Sequence, residues 1–401
     1  MIISPGFIDL HTHIRGIETL KTATEAAIAG GFTTICMMPN TIPPIDSVEK
    51  IKELKRKIQE KALVSVLPIP SIAIGMGQSE LADIEGFAKE GVFAISDDGH
   101  TIHNLSLLRE ACFEAKRLGL LVILHAEEDG DEPKAIEKRI ELAYLTGAKL
   151  HIAHISEAEG VSLVREAKKS RINVTTEATP HHFTLTEKDI KDTNFKVNPR
   201  LKSHKDIEAI KEGLADGTID IIATDHAPHT KEAKSGGWDV AALGMVGLET
   251  CVGLVWTELV HKGVLSEKEA IAKLTINPAK IIGGEANLTL TELVHKGVLS
   301  EKEAIAKLTI NPAKIIGGEA NLTLAELVHK GVLSEKEAIA KITINPARII
   351  AEEVNLTIID PNEEWVVNPL DFKSEGKNTP FSGRRLKGRV VHCCYQKCNY
   401  S

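Results

Sequence analysis

Short apolar runs alternate with amphipathic stretches eight times along the first part of the chain. The runs GFIDLHTHI, FTTICMMPN, LVSVLPIPSI, VFAISDDG, LLVILHAEE, LHIAHIS, INVTTEATPHH and IDIIATDHAPH read as strands. They are short, mostly rich in β-branched residues, and most stop at polar or turn-forming residues. Between them lie segments such as SVEKIKELKRKIQEK, NLSLLREACFEAKRLG and SEAEGVSLVREAKKS, with apolar residues at helical spacing. Several carry a Ser or Asn in front and a Gly behind, the polar start and left-handed stop that helices favour. Eight βα units within about 250 residues predict an α/β fold, a (β/α)8 TIM-type barrel. An open doubly wound sheet is the alternative, but no glycine-rich phosphate loop follows the first strand.

Polar residues stand at the ends of these strands. His11 and His13 are two apart in GFIDLHTHI, so a strand projects both from one face. Alone, such a pair reads as satisfied histidines at a strand end. The same signal recurs, however, at Asp97 and Asp98, at His125, at His154 and at Asp225. In a barrel these ends meet at one mouth, where active sites are built. Nitrogen and oxygen donors without thiolates suit zinc, with manganese, iron or cobalt as alternatives. There are more donors than one tetrahedral ion needs, which predicts two ions sharing a carboxylate. Water between them becomes hydroxide near neutral pH, and Asp225 is placed to bind one ion and relay a proton.

Composition narrows the class of partner. Hydrophobic residues make up 43% and charged residues 26%, ordinary for a chain that buries a core. A net charge of −8 and the lack of a long basic run argue against nucleic-acid binding. No stretch is apolar for long enough to span a membrane, and MIISPGFIDL does not read as a signal peptide. Six cysteines without a regular framework suit a reducing cytoplasm.

Taken in order, PGFIDLHTHIR, GGFTTICMMPNT, AISDDG, VILHAEE, HIAHIS, EATPHH, NPRLK and IATDHAPHT resemble the amidohydrolase superfamily. Within it they are most similar to dihydroorotases whose bridging ligand is an aspartate. The likeness covers residues 4 to about 282 and resumes from about 354 to 391. It implies two zinc ions, one held by His11, His13 and Asp225 and the other by His125 and His154, with Asp98 bridging. It also implies substrate contacts from Arg15, Asn40, Asn198 and His229 and from the backbone of Leu243 and Gly244. The implied reaction is the reversible hydrolysis of dihydroorotate to carbamoyl aspartate, with Asp225 as the proton-transfer group. That chemistry suits the residues. Arg15 offers a planar fork for a carboxylate, and Asn40 and Asn198 offer amide donors and acceptors, although each also reads as a plain turn residue. Implied partners are a homo-oligomer or a complex with aspartate carbamoyltransferase.

Several departures from the family pattern stand out. Residues expected ahead of the first barrel strand, part of a small β-sandwich, are missing, leaving a remnant annex. The turn after Arg15 and the stretch between His125 and His154 are short, and AALGMVGLET lacks the usual Pro-Phe. The end, VVHCCYQKCNYS, reads as an exposed tail rather than a closing strand. A 34-residue segment at 257–290 recurs identically at 291–324, and a diverged copy begins at Ala325. Each copy predicts two helices, with a capping box at Ser266 and Glu269 in the first, a break at Asn277-Pro278 and a Gly stop. The domain reading is a barrel over 1–282, a helical tandem repeat over 257–358 whose first copy docks on the barrel, and an annex with tail over 359–401. Two other functions stay open: an allantoinase or hydantoinase type of cyclic amidase, and an inactive homologue serving as an assembly partner. Arg15 and Asp98 favour the dihydroorotase reading over the first, and the intact ligand set argues against the second.

Overall fold

All eight apolar runs become parallel strands in the computed structural model, which describes residues 1–128, 130–283 and 355–395. After a short strand β1 (Ile2–Pro5) come β2 (Phe7–Thr12), β3 (Phe32–Met37), β4 (Ser65–Pro68), β5 (Ala94–Ser96), β6 (Leu121–Leu124), β7 (Lys149–Ile152), β8 (Val174–Ala178) and β9 (Ile221–Ile222). Strands β2 to β4 form one run of pairing and β5 to β9 another. Parallel bridges between Ser71 and Ser96 and between Thr12 and His226 join the runs at both seams, so the sheet closes on itself. Helices α1 (Leu20–Gly30), α2 (Val48–Lys61), α3 (Ile84–Lys89), α4 (Leu105–Leu118), α5 (Glu132–Thr146), α6 (Ala158–Lys169), α7 (His204–Asp216) and α8 (Leu248–Val255) follow the strands one for one. This is the expected TIM-type barrel.

The strand period sorts side chains into two cores. Along β6, Leu121 and Ile123 join a cluster whose buried members come only from strands and the residues just after them, the inside of the ring. Val122 and Leu124 join the larger cluster between ring and helices. Local signals set the helix ends. Asn104 accepts from the amides of Ser106 and Leu107 at the start of α4, and Gly119 ends it at φ 76°. Such a cap contributes about 1 kcal/mol. Helix α6 departs from the pattern: its cap is Glu157, with no side-chain bond, because Ser156 is committed to Glu132.

The described part of copy one of the repeat packs on the barrel. A π turn at Trp256–Val260 continues α8, and Ser266 and Glu269 form the capping box of α9 (Glu267–Leu274). Leu259, Leu265, Ala270 and Leu274 are buried in the outer core. The break falls at Thr275 rather than at Asn277-Pro278, because Pro278 is tolerated in the first turn of a new helix, α10 (Ile276–Ile281). Ile281 and Ile282 pack against the inner cluster beside Ile8 and Phe93, at the strand ends remote from the histidines. The second copy and nearly all of the third lie outside the described residues.

Two expectations about the annex change. β10 (Leu356–Val366) begins within the stretch assigned to the third repeat, and it pairs antiparallel with β1 on one side and β11 (Arg385–Cys394) on the other. Val390, Val391 and the residues to Cys394 therefore belong to a closing strand and not to a tail. The pairing of Leu356 with Cys394 and of Thr357 with Cys393 uses their backbone, and Cys393 Sγ also takes a contact from Thr357 Oγ1 at 3.7 Å.

Candidate metal centre

Four histidines converge on one carboxylate. Asp98 Oδ2 lies 3.1 Å from His11 Nε2 and 3.3 Å from His13 Nε2. Its other oxygen, Oδ1, lies 3.3 Å from His154 Nε2 and 3.6 Å from His125 Nδ1. The groups His11–His13–Asp98 and Asp98–His125–His154 each gather donor atoms closely enough to hold a metal ion. Asp225 Oδ1 joins the first group, 3.0 Å from His13 Nε2 and 3.6 Å from His11 Nε2. All six side chains are buried.

Strand ends put them there. β5 stops at Ser96, so Asp97 and Asp98 occupy the turn beyond it and diverge. Asp98 faces the histidines, while Asp97 accepts from the Ile102 amide at 2.9 Å on the side of Arg139. His154 and Asp225 adopt φ of 31° and 49°. Non-glycine residues rarely take this region, and such strain concentrates at functional sites.

The outer nitrogens of three histidines are held by neighbours, which aims the inner nitrogens at Asp98. His11 Nδ1 lies 2.6 Å from Glu177 Oε1, His13 Nδ1 lies 2.8 Å from Asn40 Oδ1, and His125 Nε2 lies 3.0 Å from the Asn198 amide. A partner on the far ring nitrogen is what fixes a metal-ligating imidazole. Buried His11 Nε2 has no hydrogen-bond partner despite its closeness to Asp98. A buried nitrogen left without a partner, in a cluster whose donor atoms lie this close together, fits a cation between them.

The electrostatics agree. Burial alone would raise the Asp98 pKa, but the charge of His11 holds it well below the usual carboxylate range, and Asp225 is lowered likewise by its contact with His13 and by His11. Burial opposes charge on His11 as well, yet Asp98 and Glu177 outweigh it and keep its pKa high. His125 is pushed up to about 9 by carboxylate neighbours against the same desolvation. His154 goes the other way, lowered chiefly by burial. An apolar wall with fixed negative oxygens is a place where cations gain most.

Residues expected to meet substrate surround this cluster in different ways. Arg15 is half-buried, its Nε has no partner, and it lies in the field of Asp225 and Asp98. Asn40 and Asn198 are engaged with His13 and His125, as above. His229 donates from Nε2 to the Leu243 carbonyl at 2.8 Å, and burial lowers its pKa to about 4, so it is neutral. Both main-chain groups of Gly244 are already paired: its amide with the Lys196 carbonyl, and its carbonyl with Lys234 and Asn378. In this structure both groups serve to hold the loop.

Sequence reasoning missed Glu177 and Asp9. Glu177 accepts from His11 and lies 3.1 Å from His151 Nε2; burial works against its charge, but His11 brings its pKa to about 2. Asp9 takes the Thr224 amide and hydroxyl and the His11 amide, tying β2 to the turn that carries Asp225. Both place an acid inside a strand, a signal open to reading in VTTEA and FIDL.

The model of the amidohydrolase family matches residues 2–290 of the chain. A dihydroorotase of Thermoanaerobacter sp. is 37% identical over 422 aligned positions, covering 98% of this chain and 84% of the relative. One from Pelotomaculum thermopropionicum is 39% identical, covering 96% and 84%. Among solved structures, an L-hydantoinase from Arthrobacter aurescens is similar at TM-score 0.73 with 21% identity, covering 98% of this chain and 84% of that one. A dihydroorotase from Saccharomyces cerevisiae, in complex with 5-fluoroorotic acid, is similar at TM-score 0.69 with 15% identity, covering 99% of both. These two likenesses bear on the fold alone.

Proposed function

The chain belongs to the amidohydrolase family, and from that premise we propose that it is a metal-dependent cyclic amidase catalysing the dihydroorotase reaction. Its substrate is (S)-dihydroorotate, opened reversibly to N-carbamoyl-L-aspartate. One observation carries the reading: a single buried carboxylate turns one oxygen to each of two histidine pairs, with an arginine beside it. Its nitrogen and oxygen donors suit zinc. His11, His13 and Asp225 would hold one ion, His125 and His154 the other, and Asp98 both. Bound there, divalent ions supply Lewis acidity that polarises a carbonyl and acidifies water.

The protein's own groups do the rest. Asp225, held ionised by the histidines, accepts the proton of the attacking water at a carboxylate oxygen and returns it to the departing ring nitrogen. Arg15 stays cationic in spite of its burial and reads the substrate carboxylate through its fork. Neutral His229 lies in the field of Arg15 and His13, within reach of the same end of the ring. Asn40, Asn198 and Glu177 keep three imidazoles aimed inward. The thiols of Cys36, Cys112 and Cys251, buried and unpaired, are what a reducing cytoplasm maintains. No helix among the described residues is long and apolar enough to cross a membrane.

Elemental analysis and turnover in one preparation test this. The expected result is about two zinc per chain and hydrolysis of dihydroorotate far above that of hydantoin or allantoin. Metal-loaded protein that opens hydantoin and leaves dihydroorotate untouched would overturn the substrate assignment.

A further inference from the structure

The buried side chains around Gly244 form a device that the reaction scheme leaves unused. Lys234 is 5% exposed and has no ion-pair partner among the described residues. Its ammonium donates to three main-chain carbonyls: Ala242 at 2.8 Å, Gly244 at 2.9 Å and Lys196 at 3.3 Å. Three protons meet three acceptors, which satisfies the group completely. The cost of burying this cation without an anion shows in its pKa, lowered to about 8. The carbonyls come from two segments, one leading to Asn198 and one carrying Leu243.

Asn378 grips the same carbonyl from the other side. It is 5% exposed and sits in the segment between β10 and β11. Its side-chain amide donates to Gly244 O and Ala227 O, each at 3.1 Å, and its side-chain oxygen accepts from the His229 amide at 2.9 Å. Its own carbonyl accepts from the Val246 amide at 3.0 Å. Close packing fixes the rest. Gly244 has φ 119°, and a Cβ there would stand 2.5 Å from Ala227 Cβ and 3.5 Å from His229 Nε2. A Cβ on Gly376 would stand 2.5 Å from Pro228 Cβ.

We infer that Lys234 and Asn378 are positioning residues that clamp the Gly244 carbonyl from opposite sides and so hold His229 and Leu243 at the substrate end of the site. The inference rests on the proposed reaction for its kinetic consequence but not for its structural one. Neither residue touches the metal ligands; they act through the loop. Segments of the annex thereby help shape a site whose ligands all come from the barrel.

Two variants test it. Lys234→Met removes the three donors, and Asn378→Asp keeps the acceptor for His229 while removing both donors. Each should keep wild-type zinc content and a kcat within about twofold, and raise KM for dihydroorotate at least fivefold. Hydrogen exchange at the Ala242 to Val246 amides should quicken, with exchange in β6 and β7 unchanged. Unchanged KM and unchanged loop exchange in both variants would overturn the inference. So would exchange quickened throughout the barrel, which is the mark of a merely structural role. Should the wild type fail on dihydroorotate, the reaction assignment falls and the exchange arm alone decides the clamp.

Discussion

The two ends of the site are built on different principles. At the metal end, six side chains project from strands or the turns just beyond them, and neighbours pin three of the imidazoles through their far nitrogens. At the proposed substrate end, Arg15, His229 and Leu243 sit on loops, and main-chain groups tie the loops of His229 and Leu243 to Lys234 and to the segment near Asn378. The Arg15 turn is tied to the annex through a side chain instead: the Glu18 carboxylate accepts from the Ser374 hydroxyl at 2.9 Å and the Glu375 amide at 3.1 Å. On the proposed function, chemistry thus rests on the ring of strands, while recognition rests on loops braced from afar.

The sharpest way to break this contrast is Asp98→Ala. It removes the carboxylate that, among the described residues, both histidine pairs share, so bound metal should fall below a tenth of wild type and turnover by about a thousandfold, roughly 4 kcal/mol of barrier. Full metal occupancy in that variant would refute the shared-ligand geometry. At the other end, Arg15→Met should leave metal content intact and lower kcat/KM by about 2–4 kcal/mol, the worth of a charge-assisted fork. An unchanged kcat/KM would mean that the ring carries no carboxylate to read.

Glu177→Gln sharpens the contrast from the metal side. It keeps the shape but weakens the partner of His11 Nδ1, and zinc affinity measured by chelator competition should drop about 10- to 100-fold. Glu249 probes the bracing. It accepts from the Lys373 and Ser374 amides at 2.8 and 3.2 Å, and burial raises its pKa from 4.5 to about 7. The folded state therefore binds more protons than the unfolded state between those values. Stability should decline as pH rises from 4.5 to 7 and level off above. Glu249→Gln should flatten that decline, by on the order of 1 °C in Tm between pH 5 and pH 8. The smallest effect is expected from deleting residues 291–324. Copy one already fills the docking position, so zinc content and kcat should not change; loss of zinc would make the middle copy integral to the barrel.

This division also explains what could be read from residues alone. The eight strands, and the convergence of the six polar side chains proposed as ligands, were legible because period-two spacing and strand-end polarity are local properties of the chain. The pairing of Gly244 was not legible, because a resemblance reports that a backbone position matters without saying which groups in the protein already engage it. Lys234 and Asn378 were not legible at all, since their partners are carbonyls that no side-chain pattern marks. VVHCC read as a tail because the strand it pairs with begins inside what looked like a repeat.

Strand β10 has a consequence for how the molecule is made. Its neighbours are β1, which leaves the ribosome before any of the barrel, and β11, which leaves after it. Until β10 arrives, β1 must wait with an unpaired edge while the ring is synthesised. Pairing so distant in sequence forms slowly and late. An arrested or clipped product that lacks β10 would hold a nearly complete ring and still expose the edge of β1. Such an edge is a template for pairing with another copy, so loss of the annex would show first as self-association of the chain.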